Sequence, residues 1–305
     1  MFFLAGTSGA GEIPHSSSSD ARSLSDACFL LYLVAIELPA ERQVPLLARS
    51  TVVGIINVAH ADLMMLGAYN TFWLFSLWGV NPLVGLLVSL PVLFAAGWGL
   101  QRFLVSRVAR STELTSLLLT FGISIVIVNL ALYCWTGDFR SVAYLSGSVV
   151  VGGMALSKVR LLGFAVALAI TLAVFLFLRW NPWGRAIRAT SQNPEAAVLM
   201  GIDVGRIAVV AFGLGTALAG AAGVLLAPSL YLYPTVGELL IVKCFVIVVL
   251  GGLGSVPGAI AGGILLGVAE SLGAVYVSAT YKDGIGYVIF LLVLLYRPSG
   301  LFGVG

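Results

Sequence analysis

From Leu63 to Gln101 the chain carries no charged residue, and Leu114–Gly137, Leu161–Leu178 and Ile207–Gly237 are uncharged as well. A helix crosses ~30 Å of hydrocarbon with ~20 mostly apolar residues. The first run is therefore long enough for two crossings, with Asn81-Pro82 as the turn between them. Leu161–Leu178 is apolar on every face, whereas a membrane β-strand alternates apolar and polar positions. Composition agrees: 60% of residues are hydrophobic, 10% are charged and the mean hydropathy is +1.06, far from the roughly 25% charge of a soluble domain. The expected fold is all-α, a polytopic integral membrane helical bundle of about eight transmembrane helices.

The same composition excludes several chemistries. A net charge of +3 spread over many loops does not describe a nucleic-acid-binding surface. Cys28, Cys134 and Cys244 are far apart, and His15 and His60 are the only histidines, so no disulfide framework or metal-spaced cluster can be built. No GxxxxGK[ST] phosphate loop occurs, so any ATP hydrolysis is expected on another polypeptide, and no cofactor is expected on this chain.

Residues 1–50 differ from the remainder. They open on the Gly/Ser-rich MFFLAGTSGAGEIPHSSSSD, lack the basic n-region of a signal peptide, and offer only the short apolar stretch Cys28–Leu38. They are expected to be disordered, or the product of a misplaced gene start, ahead of a transmembrane domain at 51–305.

Charge placement sets orientation. Arg102, Arg107 and Arg110 form one basic loop; Arg179, Arg185, Arg188 and Arg206 mark another, two spans further on. Both should lie on the cytoplasmic side. The intervening loop 138–160 is long enough for a lateral helix. Leu239–Leu250 is short for a span and contains Lys243, so both a full crossing and a re-entrant path remain open.

The segment 181–206, NPWGRAIRATSQNPEAAVLMGIDVGR, is the longest polar stretch inside this apolar domain. Asn193-Pro194 reads as a helix start. Glu195 falls in the first turn, where the helix dipole favours a carboxylate, and Gly201 reads as a stop. The expectation is one short helix preceded by Arg185 and Arg188.

EAAVLMG in this segment resembles the coupling loop of ABC importer permeases, which rests on an ATPase subunit. GRAIRATSQNPEAAVLMGIDVGRI, GGLGSVPGAIAGGILLGVAESLGA, GIINVAHADLMMLGAY and YRPSGLFG together resemble the LivH-type permease of branched-chain amino acid ABC transporters, over roughly residues 52–305. The resemblance implies a coupling role for Arg185, Arg188, Glu195, Ala196, Ala197 and Gly201. It also implies a second, LivM-like permease, two LivG- and LivF-like ATPases that carry ATP and Mg, and a periplasmic substrate-binding protein. Location in the bacterial inner membrane follows from the same likeness. A permease for urea or short amides is the nearest alternative; an ion-coupled carrier or channel is a more distant one.

Within the membrane, Asn57, His60 and Asn129 are polar groups at or inside spans, and Gly251, Gly252 and Gly254 lie in a break between apolar segments. Broken helices can aim their ends at a substrate, so these six are candidates for the translocation path. Asn129 is equally expected to hydrogen-bond another helix. Gly258 and Gly262, and Gly263 and Gly267, repeat at four-residue spacing, the pattern that lets helix backbones approach, within the chain or against the second permease.

Overall fold

A computed structural model describes residues 57–300, apart from 58, 109–112, 146, 152–153, 253–255, 277, 279–280 and 298–299. The segment 1–50, Arg110 and Gly254 lie outside the described residues.

The turn expected at Asn81-Pro82 joins an antiparallel pair, α1 (His60–Trp78) and α2 (Pro82–Leu100). Gly79 closes α1 at φ 62°, and the Asn81 side chain accepts a hydrogen bond from the Leu83 amide to start α2. Deeper in the pair, Asn70 Nδ2 donates to Ser89 Oγ at 2.8 Å. Beyond Leu100 the helical path continues through a π-helical turn at Gln101–Val105 into Ser106–Val108.

The remaining uncharged runs become α3 (Glu113–Trp135), α4 (Lys158–Trp180) and α7 (Val204–Leu226). Between α4 and α7 lie two shorter helices, α5 (Pro182–Gln192) and α6 (Pro194–Leu199). The chain ends in α8 (Val236–Gly251), α9 (Val256–Tyr276) and α10 (Lys282–Tyr296). Among the described residues, four segments can cross a membrane by length and apolarity: Pro82–Val108, Leu114–Trp135, Leu161–Trp180 and Val204–Leu226. Two shorter apolar helices cover Ile260–Ala274 and Gly284–Tyr296.

One expectation fails in the loop 138–160. Instead of a lateral helix it contains an antiparallel pair, β1 (Ser148–Val151) and β2 (Met154–Ser157), in the register Ser148–Ser157 to Val151–Met154. The run of valines favours extended backbone, and the Gly152-Gly153 dipeptide between the strands is a hairpin signal.

The core is organised around α7, which lies against α1 and α2 and is largely buried along its length. Small residues make this possible. A Cβ on Gly67 of α1 would lie 2.6 Å from Gly220 Cα of α7, so the two backbones touch there. Gly223 sits equally close to the backbone of Met64.

These contacts fix directions. Leu93 lies at Gly220 and Gly97 at Thr216, so α2 runs antiparallel to α7. α1 is antiparallel to α2 and crosses α7 where Gly67 meets Gly220 and Met64 meets Gly223. Asp62 shares a side-chain hydrogen bond with Ser124, and Tyr69 stacks on Trp135, so α3 is parallel to α1. The ends of α2 and α4 and the starts of α3 and α7 therefore form one basic end of the bundle. Arg140 and Lys158 belong to the other.

α8 begins inside the bundle. Gly237 lies against Ala61 and Asp62, and Asp62 meets Ser124 at the middle of α3. At 1.5 Å per residue, 16 residues extend about 24 Å, less than the hydrocarbon thickness. Leu239–Leu250 is thus part of a helix that starts three residues earlier and at mid-depth.

Candidate functional site

At the basic end, the segment 181–206 folds as two capped helices rather than one. Asn181-Pro182 repeats the start signal of Asn193-Pro194: Asn181 accepts from the Trp183 amide at 2.9 Å, and Asn193 from the Ala196 amide at 3.0 Å. Arg185 and Arg188 consequently lie on α5 itself. Arg185 is exposed; Arg188 is half-buried, with Nε shielded and without a hydrogen-bond partner among the described residues. Glu195 is exposed in the first turn of α6.

α6 ends as Gly201 allows. With φ at 81°, Gly201 donates to Val198 O at 2.9 Å while Ile202 donates to Ala197 O at 3.0 Å, a Schellman closure. Asp203 then caps α7 by accepting from the Arg206 amide. Ile187, Ile207 and Ala211 are buried together, with Leu178, Ala186, Ile202 and Leu214 packed around them, and this cluster seats α5 against α4 and α7.

The outward face of α6 is apolar. Leu199 is 87% exposed and Met200 82%, beside exposed Ala196 and Val198; Ala197 alone of this run is buried. A short helix fixed at both ends therefore presents aliphatic side chains with Arg185 nearby on α5.

Of the six residues expected along a path, the five that are described are not gathered into one site; Gly254 lies outside the described residues. Asn57 and His60 are neighbours at the start of α1, where the His60 amide donates to Asn57 O at 3.2 Å. Asn57 Oδ1 is buried without a hydrogen-bond partner among the described residues. Asn129 is exposed on α3 and donates to Ile125 O of its own helix at 2.8 Å, not to another helix. A backbone carbonyl one turn back is always in reach of such a side chain. Gly251 closes α8 and Gly252 follows at φ 104°, a helix length away from His60.

The four glycines of α9 at four-residue spacing face inward. Gly258, Gly262, Gly263 and Gly267 are buried, and a Cβ on Gly262 would lie 2.8 Å from Ile247 O and 3.0 Å from Gly251 N of α8. Close approach inside the chain accounts for Gly262. Nearby, Lys243 of α8 and Glu270 of α9 pair across the same contact.

A second polar group lies at the opposite end. The Arg140 guanidinium sits over the rings of Phe72 and Trp73, 5.3 and 5.2 Å from their centroids. Its Nη2 donates to Trp135 O at 2.8 Å. Its backbone pairs in both directions with Leu232, at 2.9 and 2.8 Å. In the sequence, Arg140 stands out only as the single cation between residues 111 and 157.

Comparisons with known proteins agree with the membrane architecture. The family described as "Branched-chain amino acid transport system / permease component" matches residues 49–294. The high-affinity branched-chain amino acid transport system permease protein LivH of Salmonella typhimurium is 32% identical, over 83% of this chain and 87% of its own length. The corresponding protein BraD of Pseudomonas aeruginosa is 33% identical over the same shares. A probable branched-chain amino acid transport permease protein, LivH of Methanocaldococcus jannaschii, is 30% identical over 81% of this chain and 83% of its own. No solved structure matches the chain. A family match over most of its length, with relatives of this identity covering four-fifths of it, shows that the chain is a multi-pass membrane protein belonging to the branched-chain amino acid permease family.

Proposed function

We propose that the chain is the membrane-spanning subunit of an ATP-driven importer of branched-chain or other small amino acids in the bacterial inner membrane. It forms half of a translocation path with a LivM-like second permease. Two cytoplasmic LivG- and LivF-like ATPases bind ATP and Mg and dock on 181–206, and a periplasmic binding protein delivers substrate. The chain itself holds no nucleotide. Movement of the ATPases on hydrolysis is passed through α6 and α5 to the ends of α4 and α7, where the Ile187 cluster transmits it to the bundle.

The observation that supports this reading is the apolar tip of α6. Exposed Leu199 and Met200 on a helix capped at both ends form a rigid knob outside any long apolar span, suited to a groove on another protein. Lipid-facing residues need no such capping.

The test is uptake in cells that lack their own system. Ala196→Trp, bulky on the exposed face, and Arg188→Glu should abolish branched-chain amino acid accumulation while the protein still inserts in the membrane. Full uptake by both variants would remove the coupling assignment.

A further inference from the structure

Among the described residues, three hydrogen-bond donors are buried without an acceptor at the outer end of α1: Tyr69 Oη, Trp73 Nε1 and Arg140 Nε. Tyr69 is 0% exposed. The three belong to one packed cluster. Tyr69 stacks on Trp135 with ring centroids 4.3 Å apart, Trp135 O accepts from Arg140, and the guanidinium covers Trp73.

Buried polar atoms are nearly always satisfied, and each one left alone costs roughly 1–3 kcal/mol. Three in one cluster therefore call for a common cause. All three can donate, and the indole and guanidinium nitrogens can do nothing else. Among the described residues Arg140 also makes no ion pair. Asp138 lies within electrostatic reach of the same Tyr69 hydroxyl but makes no ion pair with Arg140, which is held by ring faces and the Trp135 carbonyl. Donors around such a cation suit an anion with several acceptor oxygens, and guanidinium geometry matches a carboxylate.

What adjoins the cluster narrows the ligand further. Leu232, paired with Arg140 through the backbone, lines a small cavity with Met64, Met65, Ala68, Leu226 and Leu240. The cavity is apolar, and at about 10 Å³ it has room for no more than one water. Its aliphatic walls suit a branched aliphatic group in chemistry.

We propose that Arg140, Tyr69 and Trp73 form a carboxylate-binding subsite at the outer end of the path, beside an apolar pocket for the side chain of the same molecule. The ligand class is an α-amino acid with an aliphatic side chain. The subsite rests on the reading of the chain as an amino-acid permease, and it lets the permease recognise its cargo independently of the binding protein.

The test uses the purified complex of both permeases and both ATPases, without binding protein, and compares leucine with leucinol, which lacks the carboxylate. Leucine should raise the thermal unfolding midpoint and leucinol should not. Tyr69→Phe keeps the ring stack and deletes only the unpaired hydroxyl. It should unfold at or above the parental temperature without ligand, lose the leucine response, and slow leucine uptake roughly 10-fold in the complete transporter. Arg140→Lys should lose the response as well, since an ammonium cannot reproduce the fork.

Absence of a leucine response in the parent, an equal response to leucinol, or a full response in Tyr69→Phe would each overturn the subsite. Uptake by the complete parental transporter separates the two readings. A parent that imports leucine without these responses refutes the subsite alone; one that accumulates no amino acid refutes the permease reading and the subsite with it.

Discussion

Lys243 of α8 reaches Glu270 of α9 with its ammonium nitrogen 3.0 Å from each carboxylate oxygen. Both side chains are shielded, at 16% and 8% exposure. A charge held between helices is costly unless matched, and this geometry matches both oxygens to one ammonium.

Removing one partner should therefore cost more than removing both. Lys243→Met and Glu270→Gln are each expected to destabilise the bundle by about 3–5 kcal/mol. The double variant Lys243→Met/Glu270→Leu should recover most of that loss. Unfolding of the detergent-purified protein measures all three; a double variant as unstable as the sum of the singles would refute the pairing energetics.

Close contact between α1 and α7 gives a second prediction. At Gly67 a methyl group would meet backbone, which cannot rotate away, so Gly67→Ala should cost about 1–3 kcal/mol. Gly122→Ala on α3 meets nothing within 4 Å and should be neutral or stabilising by up to ~1 kcal/mol. Thermal denaturation of the two variants side by side checks the contrast.

The ends of α6 give a third. Gly201→Val forces a branched residue into φ 81° and should cost on the order of 1–2 kcal/mol locally. Asn193→Ala removes the cap from Ala196 and should cost ~1 kcal/mol. Limited proteolysis should then cut within 193–203 faster than in the parent, and Gly201→Asn should fall between the parent and Gly201→Val.

The apolar tip supplies a fourth. Leu199→Asp places a charge on a side chain that is 87% exposed, so it should leave folding unaffected. Co-purification of the ATPase subunits should drop by at least roughly 10-fold, the scale of losing an interface anchor. An undiminished yield would place the docking surface elsewhere.

The helices were legible because uncharged runs and Asn-Pro starts act locally. Asn193 caps its helix within three residues of itself, as its sequence signal predicts; Asn181 carries the same local signal, yet the single start expected in 181–206 leaves out the helix it begins. Tertiary partners were not legible, since nothing near Arg140 in sequence indicates that Phe72, Trp73 and Leu232 will surround it. Lys243 and Glu270 stood out as charges in apolar surroundings, yet only the α8–α9 contact shows that they neutralise each other. Asn129 marks the limit of the pattern, because a lone amide in a span satisfies its own helix as readily as a neighbour.

The contact of α7 with α1 and α2 has a bearing on biogenesis. The α1–α2 hairpin leaves the ribosome complete, but the helix that fills its glycine-lined face starts roughly a hundred residues later, or about 5–20 s of synthesis. Through that interval α3 and α4 enter the bilayer while the hairpin's groove stays open to lipid or to an insertion chaperone. A nascent chain arrested before Val204 should therefore expose Gly67 to crosslinking, and one arrested after Leu226 should conceal it.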